Sequence, residues 1–294
     1  MRFFVSLLIT GLLTGAIYAL VALGFVLVYK ATGVINFAQG EFMMFGAFVA
    51  AALLTDRGLP PALGIPITLV VMAGLGLVTE RVVLRPMIGR PAISMIMATV
   101  GLAFVFRGLA PMLWGGGTKS LSLPLPDSPV QVLDVRLSPT VLAGAASAVI
   151  LVGVFALLFQ RSRAGIALRA VADDQQAAMA MGISVPWAFG TAMAVAGAAA
   201  AAGGLIWGNL LGVDSYLALV GFKVFPVVIL GGLDSVGGAV LGGLVVGAVE
   251  SIAGGYVDPV VGGGTKDFVP FLLMLVVLMV RPYGFFGKEI IERV

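Results

Sequence analysis

Long apolar runs separated by short polar stretches dominate the chain, and their lengths predict membrane-spanning helices. The runs cover Phe3–Tyr29, Phe42–Leu54, Ala62–Val78, Ala92–Leu113, Ser138–Phe159, Trp187–Trp207, Leu217–Leu230, Ala239–Ile252 and Phe268–Val280. This reads as an all-α polytopic membrane protein with about nine transmembrane passes. The polar stretch Ala31–Glu41 leads straight into the short second run, and glycine-rich Gly231–Gly238 joins the seventh and eighth. These predict one or two broken segments, which persist at membrane depth only where protein or a watery cavity satisfies the backbone. Between the spans, Glu80–Arg90 reads as a basic loop and residues 114–137 as an extracytoplasmic loop.

One polar interruption reads as a helix, Arg161–Val185. Leu168, Val171, Ala172, Gln175, Ala178 and Met179 fall on one side at helical spacing, and Arg169, Asp173 and Gln176 on another. Gly182 follows the last periodic residue and suits a left-handed C-terminal cap. Two readings stand: a half-apolar helix that docks in a groove of a soluble partner, or a connector lying on the membrane surface.

Composition supports the membrane reading, with 60% hydrophobic and 11% charged residues. There is no Cys and no His, which removes thiolate chemistry and the commonest general base and metal ligand. No metal site, cofactor or nucleic-acid partner is expected. The basic residues set the orientation. With the polar helix in the cytoplasm, Lys30, Arg81, Arg85, Arg90, Arg161, Arg163, Arg169, Arg281, Lys288 and Arg293 lie inside. Arg2, Arg57, Lys119, Arg136 and Lys266 lie outside. That asymmetry puts the N-terminus out and the C-terminus in.

Gln176-Ala177-Ala178, three residues, then Gly182 resembles the EAA-x-x-x-G motif of ABC-importer permeases, with Gln176 in place of Glu. Gly15–Gly24, Gly33–Glu41, Arg169–Ala178 with Met181-Gly182-Ile183, Gly231–Gly243 and Arg281–Lys288 together resemble, in order, the branched-chain amino-acid ABC permease family of the LivH type. The resemblance implies a single permease domain over 1–294 in a bacterial inner membrane, with residues 160–186 as the cytoplasmic coupling loop. Arg169, Asp173, Asp174, Gln175, Gln176, Ala178, Met179 and Gly182 would meet the ATPase. Implied partners are cytoplasmic ATP-binding subunits, an extracytoplasmic substrate-binding protein, membrane lipid, and a second permease subunit, either LivM-like or another copy of this chain.

Asn36, Gln39 and Glu41 near one break and Asp234 and Ser235 in the other are candidates for the translocation path, because polar groups at broken helices line solute routes. Alternatively, Asn36 and Gln39 cap helix ends and Glu41 pairs with Lys30. Arg107, Lys223 and Glu250 are ionisable residues within apolar runs, each costing about 2.5–3.5 kcal/mol to insert unless partnered or wet. Arg107 and Lys223 either snorkel outward or form a charged mouth with Glu250 paired to one of them. Gly-Gly-Gly-Thr-Lys at Gly115–Lys119 and Gly262–Lys266 lacks the Gly-Lys-Ser/Thr of a phosphate loop and reads as turns.

The function expected is the permease subunit of an ABC importer for branched-chain or other hydrophobic amino acids, opened alternately by ATPases docked on 164–182. It is not an enzyme itself. Alternatives are an ABC permease for amides, urea or small aromatic acids, or a self-sufficient secondary transporter or channel.

Overall fold

The computed structural model describes residues 2–121, 123, 128, 130–132 and 135–287. The basic tail residues Lys288 and Arg293 lie outside the described residues. Thirteen α-helices are found among those described: α1 (Arg2–Thr32), α2 (Gln39–Ala51), α3 (Pro61–Thr79), α4 (Ala92–Trp114), α5 (Pro139–Arg161), α6 (Arg163–Asp173), α7 (Gln175–Ala180), α8 (Val185–Leu211), α9 (Leu217–Phe222), α10 (Val224–Gly231), α11 (Val236–Tyr256), α12 (Asp258–Val261) and α13 (Thr265–Val280). A short antiparallel hairpin, β1 (Val130–Val132) and β2 (Val135–Leu137), interrupts the 114–137 segment.

Among the described residues, six stretches are long and apolar enough to cross a membrane: Arg2–Thr32, Pro61–Met87, Ala92–Trp114, Pro139–Arg161, Val185–Leu211 and Val236–Tyr256. The chain is an all-α polytopic membrane protein. The apolar stretch Leu217–Gly231 is shorter, as are α2 and α13.

Three local expectations are corrected. Glu80–Arg90 is not all loop: the helix of the third run continues as a π turn over Glu80–Leu84 and a 3₁₀ turn over Arg85–Met87. Leu217–Leu230 is not one helix, because the chain turns at Lys223 between α9 and α10. The polar helix is also two helices. Asp174 adopts an extended conformation, and its side chain accepts the N–H groups of Gln176 and Ala177 to start α7. A short acceptor that satisfies orphan amides favours such a restart over continuation.

The chain divides into two compact units, one of residues 1–22, 125–149 and 223–294, the other of residues 23–124 and 150–222. In the first, the N-terminal part of α1 meets α11 through glycines four apart on both helices. A Cβ on Gly11 would lie 2.6 Å from the Gly247 carbonyl oxygen, and one on Gly243 would lie 2.6 Å from that of Gly15. Lipid gives helices no hydrophobic reason to associate, so close backbone approach at small residues supplies the packing. In the second unit, α8 is the central helix and packs against α2 and α3. Gly46 faces Ala201, Gly204 faces the Met43 carbonyl, Gly197 faces the Met72 carbonyl and Gly76 faces the Met193 carbonyl, each too close for a side chain. Ala199, Ala200 and Ala201 are fully buried. The Ala/Gly composition of the sixth run therefore becomes a backbone-to-backbone seam.

Candidate functional site

The α6–α7 segment is built as an amphipathic pair of short helices. Ser162 caps α6 by accepting the Gly165 N–H. Gly165 has no room for a Cβ, which would meet the Phe159 carbonyl. Leu168, Val171 and Ala178 are buried in a cluster with Ala31, Val185, Ala188, Phe189 and Ala192. The single stripe expected from helical spacing is not continuous. Ala172 is exposed on α6, and beyond the break at Asp174 Met179 is exposed and Gln175 half-buried on α7. Arg169 donates to the carbonyls of Phe159 and Gln160, the latter at 3.1 Å, and its guanidinium carbon lies 5.5 Å from the Phe159 ring centroid. It thereby satisfies carbonyls at the end of α5, where cations are favoured. Asp173, Asp174 and Gln176 are exposed.

Gly182 has φ +81°. Ile183 N–H donates to the Ala178 carbonyl and Gly182 N–H to that of Met179, both at 2.9 Å, which is the Schellman closure. The left-handed cap expected at Gly182 is present. The solvent face of the pair carries Gln176, Ala177, Met179 and Met181, the last 82% exposed.

The polar break before α2 is buried. Asn36 Oδ1 accepts the Ala38 N–H at 3.1 Å, and its amide donates to Gln39 Oε1 at 3.4 Å. Gln39 in turn donates to the Ala196 carbonyl of α8 at 3.1 Å. Gly24 leaves the space that this amide occupies. Thr99 of α4 accepts the Phe37 N–H at 3.2 Å. Asn36 thus makes a local turn bond, whereas Gln39 reaches across to another helix and caps nothing. Glu41, in the first turn of α2, pairs with Arg107 of α4 at 2.6 Å, and its partner is not Lys30. The Glu41 side chain is 4% exposed and that of Arg107 43%. A carboxylate in the first turn of a helix also faces its positive end.

A second charge cluster lies in the other unit. Lys223, at the turn between α9 and α10, pairs with Asp267 at 2.5 Å and reaches within 3.8 Å of Glu250 on α11. Lys223 therefore has two carboxylates within reach, those of Asp267 and Glu250. Asp267 was not legible as a partner, although its place beside Lys266 at the start of a short apolar run was the available signal. A further missed pair is Glu80 with Arg85, joined bidentately at 3.0 and 2.9 Å. Glu80 is 1% exposed, and its signal was a lone acid at the end of a span five residues before an arginine.

Asp234 and Ser235 lie in the turn before α11. Ser235 accepts the Gly238 N–H at 3.0 Å and so caps that helix. The C-terminal Arg281–Gly287 segment folds onto the same turn: Phe285 N–H donates to the Leu230 carbonyl at 2.8 Å, and Gly284 and Gly232 take φ of +72° and +97° where the two backbones meet. Two separated stretches, Gly231–Gly243 and Arg281–Lys288, thus form one structure up to Gly287. Among the described residues no group of acidic side chains could hold a metal ion.

Residues 7–278 match the family described as "Branched-chain amino acid transport system / permease component". The high-affinity branched-chain amino acid transport system permease protein LivH of Escherichia coli is 30% identical over 308 residues, covering 99% of this chain and 98% of that one. The corresponding permease protein BraD of Pseudomonas aeruginosa is 31% identical over 98% of this chain and 97% of its own length. A probable LivH of Methanocaldococcus jannaschii is 30% identical over 92% and 88%. Among solved structures, PsaBC from Streptococcus pneumoniae in complex with Fab is similar at TM-score 0.46 and 14% identity, over 93% of this chain and 91% of that one. The matched length, and the ordered stretches that the fold ties together, make this chain a member of the branched-chain amino acid transport permease family.

Proposed function

We propose that the chain is the membrane subunit of an ATP-driven importer for branched-chain or other hydrophobic amino acids, and that ATP is hydrolysed by separate subunits docked on α6 and α7. The observation that carries this is the two-sided character of that helix pair. One face is buried against α8 and its neighbours, while the other offers Gln176, Ala177, Met179 and Met181 to solvent. Methionine is an adaptable contact residue, and a short helix with one exposed face suits a groove on a partner. Force applied there passes directly to α8, because the Schellman cap leaves only Ile183 and Ser184 before that helix begins.

In this reading the N-terminus is outside and the C-terminus inside. Nine passes result if α2 with its π extension, the α9–α10 pair and α13 also cross. A second permease subunit completes the pore, and an extracytoplasmic binding protein delivers the solute. Asn36, Gln39 and Glu41 at the break before α2, and Asp234 and Ser235 at the turn before α11, are the polar groups proposed for the solute path.

The test is a crosslink. The chain has no native cysteine, so Gln176→Cys is a unique thiol. It should capture a nucleotide-hydrolysing subunit, and amino-acid uptake in vesicles should require that subunit and ATP. Uptake by this chain alone would overturn the reading.

A further inference from the structure

Where α5 ends and α6 begins, one unit contains an apolar, half-open cavity of about 310 Å³. Its walls include Leu27 of α1, Phe155 and Leu158 of α5, Leu168 of α6, and Ala192 and Val195 of α8. Leu158 is 55% exposed, and Val154 and Leu157 beside it on α5 are exposed as well. The cavity therefore opens on a flank of α5, a helix long and apolar enough to span the membrane. A soluble partner does not reach such a flank, but a lipid tail does.

The rim of the cavity is basic. Ser162 and Ala164 line it, and the exposed Arg161 and Arg163 stand beside them. Lys30 adds positive charge 5.3 Å from the ring of Phe159, another lining residue. Arg169 is occupied with the α5 carbonyls. The acids of the segment, Asp173 and Asp174, lie at the opposite end of α6, about 15 Å away along the helix. This distribution opposes the helix dipole: Arg163 stands at the positive N-terminus and Asp173 at the negative C-terminus. Neither Arg163 nor Asp173 stabilises α6 through its dipole, whereas Arg161 sits in the last turn of α5, where a cation is favoured. An anion at the first turn of α6 gains from both arginines and from the helix end.

We propose that this cavity holds one acyl chain of an anionic membrane phospholipid, with its phosphate at Arg161 and Arg163. Basic pockets between spanning helices at a membrane surface bind such headgroups, and the volume lies within the range of ligand pockets. The lipid would brace α6 against α5 and α8, behind the face offered to the ATPase.

The full chain carrying Leu157→Cys, labelled with a bimane fluorophore, is reconstituted in vesicles of phosphatidylcholine. Quenching by brominated phosphatidylglycerol is compared with quenching by brominated phosphatidylcholine. The expected preference for the anionic lipid is about thirtyfold, the order given by two arginines at a membrane surface at about 1 kcal/mol each, and R161Q/R163Q should bring it close to one. Equal quenching by both lipids in the parent, or a preference unchanged in R161Q/R163Q, would overturn the proposal. So would loss of the preference when the ATPase subunits are added, since the cavity would then belong to a protein partner.

Discussion

Glu41 and Arg107 illustrate how a single ion pair reads differently in lipid. Removing one partner of a buried pair strands the other charge, which costs about 3–5 kcal/mol. With Glu41 buried but Arg107 itself exposed, Arg107→Ala should fall at the low end, about 3 kcal/mol, measured by thermal unfolding in nanodiscs. Combining Glu41→Gln with Arg107→Gln should recover much of the loss, and purely additive effects would mean the two residues are not coupled. Asp258 lies outside the spans. The Thr265 hydroxyl and backbone N–H both donate to its carboxylate and hold its pKa below the usual value. A depressed carboxyl stabilises the fold above its unfolded value of about 3.9 and loses that contribution as pH falls through the folded value. The stability difference between wild type and Asp258→Asn should therefore be constant near neutrality and shrink in acid. The charges themselves were legible in the sequence as ionisable residues within apolar runs. Their partners were not, because an ion pair between helices depends on rotation and depth, which hydropathy does not encode.

At the scale of elements, glycine placement decides what can change. Gly15→Leu should disrupt the α1–α11 contact by about 1–3 kcal/mol, the usual cost of overpacking. Gly101→Leu, where a Cβ meets nothing within 4 Å, should be neutral, and thermal melts of the two variants make the comparison. Gly182→Ala forces a side chain into the left-handed region at about 1–2 kcal/mol. It should loosen α7 and raise amide exchange at Ile183, whose N–H closes the cap. Spans and caps were readable because period and turn chemistry are local. The division at Asp174 was not: Ala-rich sequence on both sides favours continuous helix, and only the extended backbone at one aspartate breaks it. The turn at Lys223 was hidden likewise, its apolar flanks concealing a cation held by Glu250 and Asp267.

For the whole molecule, the absence of cysteine makes topology directly measurable. Arg57→Cys should react with an impermeant maleimide from outside, and Arg90→Cys only after permeabilisation. The reverse pattern would invert the proposed orientation. Among the described residues six spans follow from length and apolarity alone; the further crossings proposed above rest on short or bent segments whose depth no pattern of hydrophobicity reports. The seam along α8 also bears on how such proteins diverge. Because its neighbours touch main chain at Gly46, Gly76, Gly197 and Gly204, no compensating swap of side chains can accommodate growth there. Outward residues such as Val70, Phe104 and Ile150 meet no such limit. Evolutionary drift in relatives should accumulate on those outer surfaces while the four glycines stay frozen.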